Sequence, residues 1–521
     1  MRTVAGRELG WAAAQFRDQV ALVFGDRRYS YRHLDARVNR LANGLRDRYL
    51  GTGERLAVLL DNSVENVESL LAASKAGLPH VALNTRHSAR EHADILRDSG
   101  ARALIVDEGF RELVAPVREL VPDLEYVIGV GWEDAGVDGY EALLAGASDI
   151  APRVEVEPDA VHRIAYTSGT TGKPKGIVYT HASYRQRLDN FFAALEYRLG
   201  VEDSIIHVGP LSHAAGNYLI PYYLRGARNI VEARFDPAAM LETIERERVT
   251  HLFLVPIMIA RLLDYLDASG RTFDLSSLVR INYGTAPAPE ALLRRGIARF
   301  GHIFRQHLGM SECPQPLTLL YPHEHVLDGD AREVRRLRSC GRPTLNVEIA
   351  IRDEDGGELP GGEVGEITIA ARGVADVQYW RRPDLREESV RDGWFYTGDR
   401  GWMDEEGYLF IVGRSKDMII SGGFNIYSRE VEDALLRHPD VREAAVIGVP
   451  DEQWGESVFA FIVPRSARVP GKEELIEHCR QQIASYKKPR WIHFLETLPR
   501  NSNGKLDQPA LRDLSRRLME E

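Results

Sequence analysis

Apolar positions alternate between helical and strand spacing along the first part of the chain. Within 31–46 they recur every three or four residues, which predicts an amphipathic helix. Ser88 and Glu91 match a capping box, which predicts the start of another helix that ends near Gly100. This alternation predicts an α/β fold with a mostly parallel sheet. Short apolar runs predict strands at 55–60, 80–83 and 103–106, and a further helix is predicted at 66–76.

The pattern changes twice in the last third of the chain. From 346 to 412, short apolar runs alternate with glycine-rich turns, which predicts a small β subdomain. After Gly413, helix and strand patterns fit a compact α+β unit of about 100 residues, a usual domain size. We therefore expect a large N-terminal α/β domain over 1–415 and a small α+β C-terminal domain over 416–521. Its predicted helices are 429–437 and 472–483, and its strands are 444–449, 458–463 and 490–495.

Charge and composition narrow the classes of function. The chain has 521 residues and a net charge of −11, which disfavours bulk nucleic-acid binding. Cys313, Cys340 and Cys479 lie far apart, so neither a zinc site nor a disulfide framework is expected. No apolar run approaches the roughly 20 residues that span a bilayer. Residues 1–20 lack a signal-peptide pattern, so we expect a cytoplasmic protein with no membrane span.

One glycine-rich stretch carries the strongest chemical signal. Residues 166–176 read YTSGTTGKPKG, in which hydroxyl side chains and glycines are followed by two lysines. Glycines let a backbone approach a ligand closely, and successive amides in a turn bind anions. The order differs from the Walker A loop, because Pro174 follows the first lysine. The stretch therefore predicts a polyphosphate site, and the alternative is a flexible surface loop.

Five segments in the same order resemble the adenylate-forming superfamily, which includes acyl-CoA synthetases, peptide-synthetase adenylation domains and firefly-type luciferases. The glycine-rich stretch resembles the signature loop of that superfamily, and the likeness covers essentially the whole chain. Five ordered motifs are far more specific than any one of them. The other four segments are 309–312 (GMSE), 396–399 (YTGD), 413–417 with 421–427, and 499–505 (PRNSNGK).

The resemblance implies an enzyme of the AMP-forming acyl-CoA synthetase type, with a medium-chain fatty or aromatic carboxylic acid as substrate. It implies two steps: the acid and ATP form acyl-AMP and pyrophosphate, and coenzyme A then takes the acyl group. ATP, Mg²⁺ and coenzyme A are the implied cofactors, and a homodimer is an implied assembly. The C-terminal domain is implied to be mobile, rotating about Lys416 between the two steps.

The resemblance also assigns roles to single residues. Lys505 would bridge the carboxylate and the α-phosphate, Glu312 would bind Mg²⁺, and Ser311 would contact the α-phosphate. Asp399 would bind the ribose and Arg414 the ribose or phosphate. From the residues alone, Asp399 is equally a turn-capping residue, and Lys505 is better explained as a solvated surface lysine. The remaining predicted ATP-binding residues are Thr167, Ser168, Gly169, Thr170, Thr171, Gly172, Lys175, Gly284, Thr285, Ala286, Gln306, Leu308, Gly309 and Met310.

Two further groups follow from the resemblance. His213 matches a histidine beside the acyl pocket, and its presence where peptide synthetases commonly carry aspartate disfavours an α-amino acid substrate. On the coenzyme A side, Gly422 and Gly423 would border the pantetheine tunnel, and Trp454 would pack near the nucleotide. The predicted acid pocket consists of His213, Asn217, Tyr283, Leu308 and Gln315.

Three departures from the superfamily pattern stand out. Leu308 replaces an aromatic residue that usually stacks on adenine, and Tyr283 replaces a small residue and is expected to shorten the acid pocket or add a polar contact. Ser428 replaces a proline and is expected to cap the helix that follows.

These departures leave the acceptor open. The nucleophile in the second step is coenzyme A or, alternatively, a carrier-protein thiol, an amine or a small nitrogen nucleophile. A non-catalytic nucleotide-binding or scaffold protein and a luciferase-like oxidase are the remaining alternatives.

Overall fold

The predicted α/β architecture is confirmed by the computed structural model. It describes residues 2–168, 174–313, 316–373, 376–422, 424–451, 453–465, 468–501 and 504–520. Within those residues, no helix combines the length and the apolar character needed to cross a membrane.

A seven-stranded sheet carries the predicted polyphosphate loop at one edge. Its inner strands are parallel, and the edge hairpin formed by Val161–Ser168 and Pro174–Thr180 is antiparallel. The described ends of the glycine-rich stretch therefore belong to this edge hairpin. In spatial order the strands are Pro174–Thr180, Val161–Ser168, His80–Ala82, Leu56–Leu59, Ala103–Asp107, Tyr126–Val130 and Asp138–Gly139.

A nine-stranded sheet positions the segments predicted to bind adenine and the acid. Its central strands are parallel and the strands at both ends are antiparallel. The carboxyl ends of its parallel strands lie at one edge, where ligands bind in open α/β sheets. In spatial order the strands are Arg342–Pro343, Thr318–Leu320, Phe304–Leu308, Arg280–Gly284, His251–Leu254, Ser204–His207, Arg228–Val231, Val20–Phe24 and Arg27–Ser30.

Helices flank both sheets, and side-chain caps fix several of their starts. The predicted capping box is present: the Ser88 hydroxyl accepts from the Glu91 amide, and the Glu91 carboxylate accepts from the Ser88 amide. The predicted helices at 31–46 and 66–76 are confirmed with slightly longer bounds. The helices are Arg7–Gln15, Tyr31–Arg48, Val64–Ala76, Ala89–Ser99, Arg111–Leu120, Tyr140–Ala145, His181–Ala193, Leu219–Tyr223, Pro237–Glu247, Pro256–Ser269, Glu290–Phe300, Ala331–Arg335 and Pro383–Ser389.

The glycine-rich region between 346 and 414 forms an antiparallel five-stranded sheet, as predicted. Its longest strand, Trp394–Met403, pairs with Leu409–Arg414 and so brings Asp399 opposite Arg414. The other strands are Ile349–Arg352, Gly365–Ala370 and Val390–Arg391.

The C-terminal part has a sheet and apolar clusters of its own. Its two longest strands, Val441–Asp451 and Gly455–Pro464, form an antiparallel hairpin with buried apolar residues on both faces. The predicted helices and strands of this part are therefore present. The other strands are Ile419–Ser421, Phe424–Ile426 and Trp491–Phe494, and the helices are Ser428–Leu436, Lys472–Gln482 and Gln508–Glu520.

The expected capping role of Ser428 is wrong. Ser428 is already the first residue of its helix, and the preceding residue, Tyr427, makes no side-chain cap. Instead, the Ser428 hydroxyl donates to the carbonyl of Asp417 at 3.2 Å. The serine thereby connects the helix to the segment beside Lys416. A proline at position 428 would have no hydroxyl to make this bond.

A buried carboxyl group in this helix predicts a pH-dependent stability. Burial raises the pKa of Glu432 to about 7, and its Oε1 accepts from the Val446 amide at 3.0 Å. A carboxyl group whose pKa is higher in the folded than in the unfolded chain destabilises the fold when it ionises. The stability therefore falls as pH rises from the unfolded pKa of about 4.3 through the folded pKa of about 7. Glu432→Gln keeps the acceptor and removes the charge, so it is expected to stabilise the chain by roughly 2 kcal/mol more at pH 8 than at pH 5.

Thermal unfolding at the two pH values measures this difference. The exposed Glu473→Gln is the control and is expected to shift the midpoint equally at both pH values. An equal shift for Glu432→Gln would contradict the buried-charge explanation.

Candidate active site

The predicted phosphate loop grows from the edge hairpin of the seven-stranded sheet. Thr167 and Lys175 lie opposite each other in the hairpin register, and the Ser168 backbone ends its first strand. The Tyr166 hydroxyl donates to Asp98 Oδ2 at 2.5 Å and anchors the hairpin to the helix Ala89–Ser99. The predicted binding residues Gly169, Thr170, Thr171 and Gly172 lie outside the described residues.

Ser311 and Glu312 follow the strand Phe304–Leu308 after Gly309 and Met310. The Tyr179 hydroxyl donates to the Ser311 carbonyl, which fixes this turn against the phosphate hairpin. Burial raises the pKa of Glu312, although the positive charges of Arg414 and Lys175 oppose the shift. Glu312 is therefore a partly buried carboxyl group with two cations near it.

Asp399 and Arg414 form an ion pair across neighbouring strands, with Arg414 Nε 3.2 Å from Asp399 Oδ1. The Asp399 amide donates to Thr397 Oγ1 at 3.1 Å, and Gly398 at φ 75° makes the turn between them. Burial raises the pKa of Asp399, while Arg414 and Lys505 oppose the shift. The carboxylate of Asp399 thus faces cations from two parts of the chain.

Lys505 reaches this site from the C-terminal part. Its amide donates to Asn501 Oδ1 at 3.1 Å, and Gly504 at φ 77° completes the turn that presents it. Lys505 as a whole residue is exposed to solvent. Protein atoms nevertheless surround its ammonium group, and this desolvation lowers the pKa of Lys505; the positive charge of Arg414 lowers it further. Asp399 and Glu312 act in the opposite direction. The structure therefore brings Lys505 within electrostatic reach of both carboxylates.

Cations are concentrated at this site of a chain that is negative as a whole. Lys175, Arg414 and Lys505 lie near the carboxylates Glu312, Asp399 and Asp417, whereas the net charge of the chain is −11. Local cations attract anionic ligands even when the overall field is unfavourable. This arrangement suits a polyphosphate.

The segment 284–286 has a strained backbone at the predicted adenine site. Thr285 adopts φ 66°, which is unusual for a β-branched residue and often marks a functional site. Gly284 has a packing reason as well, because a Cβ there would lie 2.1 Å from the His307 carbonyl oxygen. Ala286 is exposed beside them.

Tyr283 and Gln306 lie in the core rather than on open pocket walls. Tyr283 has no exposed surface, and its hydroxyl donates to Gln306 Oε1 at 3.2 Å and contacts His325 Nε2 at 2.9 Å. The expected shortening of the acid pocket by Tyr283 therefore has no support. Gln306 Oε1 accepts this bond inside the protein, and the contact of Gln306 with adenine stays a prediction.

Other predicted residues are positioned as follows. Leu308 is half-buried and packs on an apolar cluster of the β subdomain that includes Ile351 and Leu409. Met310, after Gly309, packs on a neighbouring cluster. His213 Nδ1 lies 2.8 Å from Ser212 Oγ, and Asn217 is half-buried in the same segment. The predicted acid-pocket residue Gln315 lies outside the described residues.

On the predicted coenzyme A side, the Trp454 ring covers Gly422. Gly422 has φ 58°, its amide donates to the Trp454 carbonyl at 2.8 Å, and a Cβ there would lie 2.7 Å from the ring. Trp454 is nevertheless 47% exposed, so it presents a free face. Lys416 is also exposed. Gly423 lies outside the described residues.

Three residues that support the site were not indicated by motifs. Besides Tyr179, Arg163 donates to the Ser212 carbonyl at 2.9 Å, and Arg187 donates to the Asn217 carbonyl at 2.7 Å. The two arginines hold the segment that contains His213. The available signal is a charged residue at a core-facing position, because Arg187 lies one helical turn before the apolar Phe191 and shares its helix face.

Comparison with protein families gives the assignment. The model of AMP-binding enzymes matches residues 9–380, and the model of the AMP-binding enzyme C-terminal domain matches residues 430–505. This chain belongs to the AMP-binding enzyme family. The resemblance to the adenylate-forming superfamily is thereby confirmed, and this AMP-binding enzyme is an ATP-using ligase of the AMP-forming acyl-CoA ligase type.

Relatives with different acids and acceptors are similar over nearly the full length. A medium/long-chain fatty acid–CoA ligase of Mycobacterium tuberculosis is 35% identical, over 97% of this chain and 89% of the relative. A feruloyl-CoA synthase of an Amycolatopsis species is 37% identical, over 93% of this chain and 94% of the relative. The solved structure of an amide bond synthetase from Marinactinospora thermotolerans has a TM-score of 0.86 and 30% identity, over 97% of this chain and 99% of that chain.

Proposed function

We propose that this AMP-binding enzyme converts a medium-chain fatty or aromatic carboxylic acid and ATP into acyl-AMP and pyrophosphate, and then transfers the acyl group to coenzyme A. The observation that supports the first step best is the approach of Lys505 to Asp399 and Glu312. Lys505 belongs to the C-terminal part of the chain, whereas both carboxylates precede Lys416. It fits a site where two anionic substrates must react.

In the first step, a carboxylate oxygen attacks the α-phosphorus, and the bond to the pyrophosphate oxygen breaks. Both reactants are negatively charged, so a cation between them lowers the barrier. We assign this role to Lys505, with Asp399 and Arg414 on the ribose side and Ser311 at the α-phosphate. The phosphate loop, including 169–172, is assigned to the pyrophosphate end, and His213 to the acid.

Mg²⁺ fits the partly buried carboxyl of Glu312, which faces the cation Lys175 and the phosphate hairpin. Mg²⁺ is usually held by one or two carboxylates and by phosphate oxygens. When bound, the ion neutralises charge that develops on the leaving pyrophosphate. Glu312 would hold it, and Lys175 would add a second positive group.

Coenzyme A is the proposed acceptor because both reported relatives are named for CoA products and because Trp454 offers a free aromatic face. An amine is the second candidate, favoured by the similarity to an amide bond synthetase. We further propose that the chain has domains over 1–415 and 416–521 with the hinge at Lys416, and that the protein is cytoplasmic. We also propose that it forms a homodimer, which analytical ultracentrifugation tests.

Pyrophosphate release across a panel of fatty and aromatic acids, with and without coenzyme A, tests the proposed function. We expect release that depends on one class of acid, is accelerated by coenzyme A and yields the acyl-CoA. Release that an amine accelerates and coenzyme A does not would favour amide formation. Absence of release with every acid would contradict the activity proposed.

Removal of the exposed aromatic face is expected to affect only the second step. Trp454→Ala should raise the KM for coenzyme A by about 10-fold, since loss of a base–aromatic contact costs about 1–3 kcal/mol. Acyl-AMP formation without coenzyme A should stay unchanged. The matched control is Trp491→Ala, an exposed tryptophan on another strand of the same sheet. A parallel loss of acyl-AMP formation in Trp454→Ala would contradict a coenzyme A contact.

A further inference from the structure

A segment from the β subdomain pairs with the return strand of the phosphate hairpin. The Trp380 amide donates to the Gly176 carbonyl at 2.7 Å. The neighbouring residues Ile177 and Tyr379 form an antiparallel bridge. Lys175 directly precedes Gly176 in this strand, so the backbone is held from outside the hairpin one residue away from the lysine that faces Glu312.

The indole of Trp380 extends this contact to the end of a helix. Its Nε1 donates to the Asp98 carbonyl at 2.9 Å, and Arg381 Nη1 donates to the same oxygen at 3.1 Å. Asp98 is the second-last residue of the helix Ala89–Ser99, where backbone carbonyls lack partners within the helix. Trp380 and Arg381 therefore supply hydrogen bonds that the helix end needs.

Two guanidinium groups lie close to the Trp380 ring. The Arg55 guanidinium is 5.8 Å from the ring centroid, and that of Arg381 is 5.4 Å from it. Arg55 also donates to the carbonyls of Ser99 and Gly100, at 2.8 and 2.7 Å. Cations are favoured at the C-terminal end of a helix and over an aromatic face. The indole is thus fixed both by its hydrogen bond and by the cations around it.

The backbone at Arg381 is strained directly after the indole. Arg381 has φ 56°, in the left-handed region that residues other than glycine rarely adopt. Such a conformation persists only where surrounding contacts impose it. The bond from Arg381 to the Asp98 carbonyl is a contact of this kind.

The first strand of the hairpin reaches the same helix end. The Tyr166 hydroxyl donates to Asp98 Oδ2 at 2.5 Å. A Cβ on Gly176 would lie 3.1 Å from Trp380 Cβ and 3.1 Å from Tyr166 Cζ, so the glycine leaves room for both side chains. Both strands of the hairpin are therefore connected to Asp98, one through Tyr166 and the other through Trp380.

We propose that Trp380 is a positioning residue for the pyrophosphate end of ATP and that it acts through Lys175. This inference rests on the proposed function, which assigns the phosphate hairpin to that end of ATP. The backbone bond to Gly176 holds the strand beside Lys175, and the indole bond to Asp98 fixes the segment that makes the backbone bond. Asp399, on the ribose side, lies in another sheet and is not held in this way.

Nucleotide binding separates positioning from general packing. Trp380→Phe keeps an aromatic ring and removes the Nε1 donor. We expect its Kd for ATP, measured by isothermal titration calorimetry with Mg²⁺, to rise about 3- to 10-fold, which corresponds to the loss of one hydrogen bond. The Kd for AMP should stay unchanged, because AMP lacks the β- and γ-phosphates. An equal loss of affinity for AMP would overturn the inference.

Trp132→Phe is the matched control for this substitution. Trp132 Nε1 donates to the Val106 carbonyl at 3.3 Å, and the Arg111 guanidinium is 5.2 Å from its ring centroid. Trp132 and Trp380 pack on the same apolar cluster, so the two substitutions remove similar bonds from similar surroundings. Trp132→Phe should keep the native Kd for both nucleotides, and a loss of ATP affinity equal to that of Trp380→Phe would overturn the inference.

A double substitution tests whether Trp380 acts through Lys175. Effects of coupled residues are not additive, so in Lys175→Ala the further change Trp380→Phe should cause little additional loss of ATP affinity. Full additivity, or an unchanged ATP affinity in Trp380→Phe alone, would overturn the inference and leave the proposed function intact. A native protein that does not bind ATP would overturn the proposed function and this inference together.

Discussion

Replacement of Lys505 with alanine is expected to slow acyl-AMP formation by about 10²-fold or more. The ammonium group lies within reach of Asp399 and Glu312 and would stabilise the charge that develops when a carboxylate attacks the α-phosphate. A loss of about 3 kcal/mol of transition-state stabilisation corresponds to about 10²-fold in rate. Pyrophosphate release in the absence of coenzyme A measures this step.

The second step provides the control for this variant. Lys505→Ala should form the thioester from supplied acyl-AMP and coenzyme A at close to the native rate, because no α-phosphate is attacked there. Lys472→Ala, which removes an exposed lysine at the start of a helix in the same part of the chain, should leave both steps unchanged. If Lys505→Ala lost both steps equally, the role assigned to the lysine would be wrong.

Glu312→Gln is expected to slow acyl-AMP formation by about 10²-fold and to raise the Mg²⁺ concentration needed for half-maximal rate. The substitution preserves size and removes the negative charge that faces Lys175 and Arg414. A carboxylate is a stronger Mg²⁺ ligand than an amide, and a bound metal contributes several kcal/mol to charge stabilisation. Titration of Mg²⁺ at saturating ATP and acid measures the effect.

Glu348→Gln is the control for this change, since Glu348 is an exposed residue of the β subdomain that pairs with Arg372. It should keep the native Mg²⁺ dependence. A native Mg²⁺ requirement in Glu312→Gln would show that the metal is held elsewhere.

Patterns that depend on neighbouring residues could be predicted from the sequence. The capping box at Ser88 and the Thr397–Asp399 turn are local, because their hydrogen bonds join residues two or three positions apart. Glycines at positive φ, such as Gly504, likewise reflect the needs of a single turn. The ordered motifs then gave the family, and the structure brings Lys505 to Asp399.

Features that depend on tertiary packing could not be predicted. Strand alternation does not tell which face of Arg280–Gly284 meets the core, so Tyr283 was expected on a pocket wall, whereas it bonds Gln306 and His325 inside the protein. The ring contact between Tyr218 and His307 likewise joins two distant segments. No spacing along the chain indicates that such residues meet.

The most direct test of the central claim follows oxygen atoms through the first step. An acid labelled with ¹⁸O in its carboxylate is incubated with the enzyme, ATP, Mg²⁺ and coenzyme A, and the nucleotide products are analysed by mass spectrometry. Attack on the α-phosphate predicts that one ¹⁸O atom from the carboxylate appears in AMP. Appearance of ¹⁸O in inorganic phosphate, with ADP as the nucleotide product, would contradict the account.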